Sequence, residues 1–442
     1  MNKGRVLLSI GLIVLALWSW LSYAKKVNGR EDEFNAYIES AESLSEKQLY
    51  QMSIKEYEKA FRVREDEEKR EDWLETYKKA EEDGVVDEGA YLKALGTFCS
   101  IFPNRIDKWE TLIGGELEEG DYQGARAAYL KSAKAGVTSE KLEEYKDVIY
   151  YSYREWGEAA INMIPSTSGW LQVIGEMGYG LIDNLGDRRI DARLEYVAPI
   201  GKETIYLTKA GENESRVFDK DAVVQAVIKP AFTEAKAIGE HVIPYCEDEK
   251  WYYFDYADQK KILGPFADVT TFCNGVAAVK KDNHWILIDK NGESVGDQKF
   301  TEIATLGNGE YVNQGIMIAS AGKGFGIYDA KGNAKNDFSA AKMDFYMGDW
   351  IAFQDNSGKW GFVDQNGEVQ IKPEYTGALS FSNGLAAVEK DGAWGFINHS
   401  NVMVIKNQFG GALYFNSDGV TAVCDIETTR WHMLALKFKY GK

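Results

Sequence analysis

The chain has 442 residues, and 69 acidic against 51 basic side chains give it a formal net charge of −18. This length is more than one ordinary hydrophobic core needs, so two or more domains are expected. Seven prolines and an aromatic content of 13% argue against disorder. The negative charge would repel phosphate groups, so we expect no nucleic-acid partner.

An apolar run of 19 residues, Val6 to Ala24, lies close to the N-terminus between basic residues. As a helix it would span roughly 28 Å, close to the ~30 Å hydrocarbon core of a bilayer. Residues 1–30 therefore predict a single-pass membrane anchor, with residues after about 25 outside the cytoplasmic membrane. A cleaved signal peptide and a secreted protein are the alternative, because Ser22-Tyr23-Ala24 is a small-x-small site.

Residues 31–160 are rich in Glu, Lys, Ala and Tyr, and their apolar positions follow the helical period. Trp109, Leu112, Gly120, Ala125 and Tyr129 resemble a tetratricopeptide repeat, in which small residues let paired helices approach closely. A matching set lies 72 residues earlier: Tyr37, Ala41, Leu44, Tyr50, Ser53, Tyr57 and Ala60. The resemblance implies a solenoid of antiparallel helices; an ordinary array of helical hairpins is the alternative.

Residues 165–442 contain a motif that recurs at a nearly constant interval, which is typical of a repeat architecture. Its clearest copies begin with Trp360-Gly361 and, 34 residues later, Trp394-Gly395. An aromatic anchor opens each copy except the degenerate one at Ser215: Tyr179, Trp251, Trp285, Phe325, Trp360, Trp394 and Trp431. An acid or its amide follows four residues after each of the first seven copies begins: Asp183, Asp219, Asp255, Asp289, Asp329, Asp364 and Asn398.

This motif resembles the WG repeat, a bacterial family named for its Trp-Gly pair. The resemblance implies no activity that can be assigned to particular residues. The residues themselves predict structural roles. The aromatic anchor starts a strand, Gly361 leaves a gap for a close neighbour, and Asp364 opens a turn. Asp391-Gly392 predicts a tight hairpin, and Pro373 the end of the returning strand.

The array has an incomplete copy at each end. Residues 170–173 resemble the strand that precedes an anchor, and residues 431–435 form an isolated anchor strand. Pairing these two segments in one sheet would close a ring and hide both edges. The sequence therefore predicts a multidomain α+β protein: a transmembrane helix, a helical solenoid, and an all-β propeller of seven or eight blades. An open solenoid of β-hairpins is the alternative.

Residues with catalytic chemistry do not form a recognisable pattern. The histidines have no partner at zinc-ligand spacing, and no nucleophile motif occurs, so we expect no catalytic residues, metal or cofactor. The repeated Asp residues are interpreted as turn formers, and an acidic ring for a cation is the alternative. The Trp and Phe positions are interpreted as buried packing, and a sugar-stacking platform is the alternative. Single thiols are expected, although a disulfide among Cys246, Cys273 and Cys424 stays open.

Three functions remain. The favoured one is a non-catalytic scaffold anchored in the cell envelope, whose helical and β repeats bind protein or peptide partners. A cell-wall or glycan-binding module is the first alternative, and aromatic rings facing outward on one rim would favour it. An enzyme with its site in the central channel is the second, and two convergent carboxylates about 5–10 Å apart would favour it.

Overall fold

The computed structural model of the chain describes residues 29–209, 213–229 and 231–438. The chain divides into two compact units, Met1–Ile149 and Tyr150–Lys442. The predicted membrane anchor, Val6 to Ala24, lies outside the described residues. Of the helices that the structure does describe, none is both long and apolar enough to cross a bilayer.

The described residues begin with seven helices, which confirm the predicted helical region. Asp66 and Asp121 each cap a helix by accepting a backbone N–H three residues later, at 3.1 Å and 2.9 Å. The helices are α1 (residues 29–46), α2 (Tyr50–Val63), α3 (Glu67–Glu82), α4 (Ala90–Ile101), α5 (Ile106–Glu118), α6 (Tyr122–Lys134) and α7 (Glu140–Tyr150).

Small and aromatic residues of the repeat-like pattern fill the space between these helices. Ala60 and Ala125 have no exposed surface, and Tyr57 and Trp109 are each 2% exposed. The Trp109 indole N–H donates to the Pro103 carbonyl at 2.8 Å, which satisfies its one polar group. The alanines let neighbouring helices approach, and the rings fill the grooves that remain.

The second unit is a β-propeller of eight antiparallel sheets within the described residues. We call the strands of a blade A to D in chain order. Strand β1 (Tyr153–Ala160) comes first in the chain but is strand D of blade 8. Blade 1 contains β2 (Asn162–Pro165), β3 (Leu171–Gly175), β4 (Gly178–Ile182) and β5 (Arg188–Leu194), and blade 2 contains β6 (Tyr206–Lys209), β7 (Ser215–Phe218) and β8 (Val224–Ile228). Blade 3 contains β9 (Val242–Glu247), β10 (Lys250–Asp255) and β11 (Lys260–Phe266), and blade 4 contains β12 (Asp268–Val269), β13 (Val276–Lys281) and β14 (His284–Asp289).

Blades 5 to 8 follow the same order, and strand A is very short in each. Blade 5 contains β15 (Glu302–Ile303), β16 (Val312–Asn313), β17 (Ile316–Ser320) and β18 (Phe325–Asp329), and blade 6 contains β19 (Lys342–Met343), β20 (Ile351–Gln354), β21 (Trp360–Val363) and β22 (Val369–Tyr375). Blade 7 contains β23 (Gly377–Ala378), β24 (Leu385–Lys390), β25 (Ala393–Asn398) and β26 (Met403–Phe409), and blade 8 contains β27 (Gly411–Ala412), β28 (Val420–Cys424) and β29 (Trp431–Leu436), with β1 as its strand D.

The ring closes, but through a different strand from the predicted one. Strand β29 pairs with β1, whose residues 153–160 had been placed in the helical region. Residues 171–175 instead form strand B of blade 1, between β2 and β4, so the predicted pairing with 431–435 is wrong. The sequence pattern misled because β1 is rich in Ala and Glu and exposed along most of its length, so it lacks an apolar alternation.

The sequence repeat is out of phase with the blade. The anchor lies on strand C, its returning segment is strand D, and the strand that precedes the next anchor is strand B of the following blade. One copy of the motif therefore covers parts of two blades. Strand β22 also continues to Tyr375, so Pro373 lies within strand D rather than ending it.

Each pair of neighbouring blades shares one hydrophobic cluster, and eight such clusters complete the ring. At the closure, Leu171 and Val173 of blade 1 pack with Val420 and Met433 of blade 8. Tyr179, Trp251, Trp285, Phe325, Trp360, Trp394 and Trp431 each pack against the cluster between their own blade and the next.

The glycine of the Trp-Gly pair faces a β-bulge on strand D. Trp360 pairs with Tyr375 and Phe362 with Ile371, so three residues of strand D lie opposite Gly361 alone. A Cβ on Gly361 would lie 2.5 Å from the Ile371 carbonyl oxygen and 2.7 Å from the Pro373 nitrogen. Blades 1 and 7 repeat this contact at Gly180 and Gly395. The glycine is required because the backbone of the bulge fills the position of a side chain.

Blades without this glycine change the facing strand. In blade 2, Arg216 replaces it and pairs in register with Val227, without a bulge at that position. In blade 3, Tyr252 replaces it and the glycine moves to strand D, where a Cβ on Gly264 would lie 2.9 Å from the Trp251 carbonyl oxygen. The space next to the aromatic anchor can therefore come from either strand.

Replacing Gly361 by Ala should destabilise the propeller by about 1–3 kcal/mol, because the methyl group overlaps the bulge backbone. Gly326 is the matched control, since it holds the same motif position in blade 5 but a Cβ there would be 3.4 Å from its nearest neighbour. We expect Gly326→Ala to change the free energy of unfolding by about 0.5 kcal/mol or less. Urea unfolding of both variants measures this, and equal losses would show that the bulge is not the cause.

Candidate functional site

The loops between strands A and B of all blades meet at one face of the ring. Several are tight turns with two consecutive left-handed residues, such as Asn274-Gly275, Gln314-Gly315 and Asn383-Gly384, with φ between +50° and +78°. Loops from blades 1, 5, 6, 7 and 8 line one common cavity, so they surround the centre of the ring. We call this face the channel mouth.

A segment of blade 5, residues 304–311, spans the centre of the ring, and we call it the plug. Its residue Glu310 is 7% exposed and accepts hydrogen bonds from blade 1, at the Thr167 backbone N–H (2.9 Å) and hydroxyl (2.6 Å). The same carboxylate accepts from the Lys202 backbone N–H of blade 2 at 2.9 Å and from the Asn308 amide at 2.7 Å. One buried carboxylate thus connects blades 1, 2 and 5.

Asn308 and Gly309 of the plug form hydrogen bonds with blades 2, 3 and 4. The Asn308 side chain donates to the Ile200 carbonyl of blade 2 at 2.9 Å, and its own carbonyl accepts from Ala237 of blade 3 at 2.9 Å. The Gly309 carbonyl accepts from Thr271 of blade 4 at 3.0 Å. These bonds fix the plug to four blades, so the chain itself occupies the centre of the ring.

The channel-mouth cavity has a volume of about 410 Å³. Its lining is mostly neutral and polar, with hydroxyl and amide groups from Ser168, Gln314, Asn383 and Ser417 and one carboxylate, Asp349. Such a surface presents hydrogen-bond donors and acceptors to a ligand and carries little charge. Its size is within the range of ordinary ligand pockets.

A second carboxylate, Asp344, lies in the wall of the channel between blades 6, 7 and 8. Asp344 accepts the backbone N–H of Ser380 at 2.7 Å, and the Tyr414 hydroxyl donates to it at 2.9 Å. Burial raises the pKa of Asp344, and it raises the pKa of Tyr414 well above its ordinary value. Because their hydrogen bonds are made to channel-wall groups, Asp344 and Glu310 both act as connections between blades.

A histidine of blade 7 contacts Asp349, the carboxylate that lines the cavity. The His399 ring stacks on Phe381 with centroids 4.6 Å apart, and its Nε2 lies 3.0 Å from the Asp349 carboxylate. Trp350 contacts the same ring edge-on at 4.4 Å. The aromatic contacts hold this ring beside Asp349.

The repeated acids lie in the turns between strands C and D, at the outer part of the same face. One carboxylate oxygen of each accepts two backbone N–H groups of its own turn, at 2.8–3.0 Å: Asp183, Asp219, Asp255, Asp289, Asp329 and Asp364, with the amide of Asn398 in the same role. These backbone bonds hold the pKa of Asp289 below its ordinary value. The arrangement is that of local turn formers.

The remaining predictions concern metal ligands, cysteine thiols and the aromatic anchors. Within the described ranges, no group of three or more His, Cys, Asp or Glu side chains is placed to hold a metal ion. All four cysteines are free, with Cys246, Cys273 and Cys424 in blades 3, 4 and 8. The Trp394 ring lies across strand A of its own blade, 3.0 Å from where a Cβ on Gly377 would be.

Sequence reasoning did not identify Glu310, Asp344 or Tyr414. One signal for the plug was present, because Trp285 and Phe325 are 40 residues apart whereas the other anchors are 34–37 apart. The additional residues of this copy fall in the loop that forms the plug. Asp344 and Tyr414 carry no such signal, since each is an isolated residue of a loop that the repeat leaves variable.

The fold defines the second unit as a closed eight-bladed β-propeller with a plugged channel. The model of the WG containing repeat matches residues 360–392 and 394–425. Residues 360–425 therefore contain two WG repeats, which confirms the predicted repeat in this part of the chain. No curated protein matches the chain.

Several solved structures are similar to this chain in fold. BamB from Moraxella catarrhalis is 13% identical with a TM-score of 0.41, and the match covers 65% of this chain and 99% of that one. The Dos1 propeller is 10% identical with a TM-score of 0.40, and the match covers 67% of this chain and 97% of that one. Kluyveromyces lactis Hsv2p is 8% identical with a TM-score of 0.36, and the match covers 62% of this chain and 97% of that one. At these identities and TM-scores the similarities carry no information on function.

Replacing Glu310 by Gln should lower the free energy of unfolding by about 2–4 kcal/mol, because the amide places a donor against N–H and O–H groups that need an acceptor. The plug should also become more accessible to protease. The matched control is Glu302→Gln, an exposed acid of the same blade. A loss no larger than that of the control would contradict the proposed connection of blades by Glu310.

The raised pKa of Asp344 should make the stability of the fold depend on pH. Because its pKa is raised in the folded protein, the folded state binds the proton more tightly than the unfolded state. Stability should therefore rise, relative to Asp344→Asn, as the pH falls from 7 toward the ordinary Asp value of about 4. Denaturant unfolding of both proteins across this range measures the difference, and the exposed Asp337→Asn variant controls for net charge. A difference that is constant with pH would contradict the assignment.

Proposed function

We propose that this protein is a membrane-anchored, extracytoplasmic scaffold that binds protein or peptide partners and catalyses no reaction. The length and basic flanks of the run Val6 to Ala24 support the anchor. The helical unit supports the scaffold role, because stacked helical hairpins offer extended surfaces to partners.

The observation that carries the proposal is the channel-mouth cavity. It is assembled from loops of five blades, and hydroxyl and amide groups dominate its polar lining. The backbone of a partner's loop or peptide needs donors and acceptors of this kind when it leaves water. The variable loop residues, rather than the repeated ones, form this surface. We therefore place the partner's peptide segment in this cavity.

The settings of the carboxylates and aromatic rings favour the scaffold over the two alternatives. A channel enzyme of the kind considered would need two carboxylates available to a substrate, whereas Glu310 and Asp344 are engaged by groups of the channel wall and Asp349 is the one carboxylate that lines the cavity. A glycan-binding rim would need outward-facing rings, whereas the aromatic anchors pack between blades.

Site-specific photo-crosslinking of the intact, anchored protein tests the proposal. A photoreactive amino acid at Asn383 or Gln314, both exposed at the channel mouth, should capture the same specific protein partner. The same group at Asp391, in a turn on the opposite face of blade 7, should not capture it. No specific protein at either position, together with tight retention on purified cell-wall polymer, would favour the glycan alternative and contradict the scaffold.

A matched pair of variants then tests the location. Asn383 and Asn283 are both exposed asparagines in tight turns, with φ of +53° and +62°, but lie on opposite faces of the ring. Asn383→Tyr should weaken binding of the captured partner by about tenfold or more, since loss of well-placed interface contacts costs on the order of 1–2 kcal/mol. Asn283→Tyr should have the same backbone strain and little effect on affinity. Equal effects would place the partner elsewhere.

A further inference from the structure

A groove of about 740 Å³ lies on the face opposite the channel mouth, between blades 2 and 3. The connection from blade 2 to blade 3 and the turn between strands B and C of blade 3 form its sides. We call it the blade 3 groove and define it by Phe232, Glu234, Tyr245, Asp248, Glu249 and Phe254. It is separate from the cavity that the proposed function uses.

Aromatic side chains form the wall of the blade 3 groove. Phe232 and Tyr245 stack with ring centroids 4.2 Å apart, and Phe254 contacts Phe232 edge-on at 5.5 Å. Phe254 and Trp251, which also line the groove, are partly exposed. Phe232 and Tyr245 are themselves buried, so the apolar area that the wall offers to a ligand comes from Phe254 and Trp251.

Carboxylates surround this aromatic wall and leave an excess of negative charge. Glu234, Asp248 and Glu249 are exposed, and none of them forms an ion pair with a Lys or Arg of the described residues. The two lysines that line the groove already have acidic partners: Lys229 lies 3.8 Å from Glu214, and Lys261 lies 2.9 Å from Glu247. Three carboxylates thus remain available to a cationic ligand.

The turn of blade 3 departs from the repeat in a way that adds one of these charges. In blade 7 the turn is Asp391-Gly392, and the glycine takes the left-handed conformation without strain. In blade 3 it is Asp248-Glu249, and Glu249 has a φ of +59°. Turn geometry favours Gly or Asn at this position, so it does not explain the glutamate.

One lysine of the chain shows how this surface holds a cation. Lys261 Nζ lies 3.8 Å from the centroid of the Tyr252 ring and 5.6 Å from that of Tyr245, while Glu247 pairs with it. An aromatic face and a carboxylate together hold an ammonium group more strongly than either alone. The partly exposed Phe254 ring and the three carboxylates without ion-pair partners offer the same two kinds of group to a further cation.

We propose that the blade 3 groove binds a cationic peptide segment of a partner protein, in which Lys or Arg side chains alternate with apolar ones. The basic groups pair with Glu234, Asp248 and Glu249, and the apolar groups pack on the aromatic wall. Charge complementarity decides the choice, because an acidic segment is repelled and a neutral glycan leaves three carboxylates without partners. The carboxylates also accelerate the encounter with a basic partner.

Fluorescence anisotropy with a short labelled peptide of alternating Lys and Leu tests the proposal on the full chain, at about 0.15 M salt. The variant E234Q/D248N/E249Q should bind the peptide about tenfold more weakly, since three exposed ion pairs are lost at a few tenths to one kcal/mol each. The matched control D282N/D337N/D391N removes three exposed acids from other blades. It should change the affinity by less than about twofold.

Each outcome decides. No binding of the peptide to the unaltered protein would overturn the proposal. Equal losses of affinity in the two triple variants would also overturn it, since the attraction would then come from net charge alone. Equal binding of an oligolysine without Leu would overturn it too, because the aromatic wall would have no role. Asn383→Tyr should bind the Lys–Leu peptide like the unaltered protein, so failure at the channel mouth and failure at the groove are distinguishable.

Discussion

The propeller depends on the pairing of β1 with β29, which joins segments such as Glu155 and His432 that are 277 residues apart. A single blade exposes apolar surface on both faces, and only its two neighbours can bury that surface. An open array would leave one such face and one strand edge uncovered at each end. With β1 in place, the last blade packs on the first, and Leu171, Val173, Val420 and Met433 become one cluster like the other seven. The central cavity and the plug also require the closed ring.

Within the closed ring, repeated and variable residues have different tasks. The aromatic anchors, the glycine and the turn-forming Asp recur because every blade needs the same packing toward the next blade and the same bulge and turn. The loops between strands A and B are free of these requirements, and the chain places there its particular features: the plug with Glu310, the Asp344–Tyr414 contact and the polar cavity. Blade 3 departs from the pattern on the other face, where Glu249 stands at the turn position that Gly392 holds in blade 7.

The sequence predicted the fold well where local chemistry decides it. Trp360-Gly361 and Asp364 identified the repeat, and Asp391-Gly392 identified a hairpin that has two left-handed residues. The helical region also followed from its apolar period. The closing strand was missed because an outer strand is largely exposed and its residues, Tyr153–Ala160, lack the alternation that identifies a strand with one buried face. The role of Pro373 was misjudged because a bulge accepts a residue that cannot donate a hydrogen bond.

The sequence alone therefore determined the kind and spacing of the repeating units, because the spacing of anchors, glycines and turns is a local property of the chain. Tertiary structure decided which strand closes the ring, what occupies its centre and where exposed charge meets aromatic surface. Glu310 meets Thr167 across 143 residues and Lys202 across 108. No local pattern encodes such a contact, since it forms only after closure has placed distant blades face to face. The repeat specifies the ring, and long-range contacts specify its surfaces.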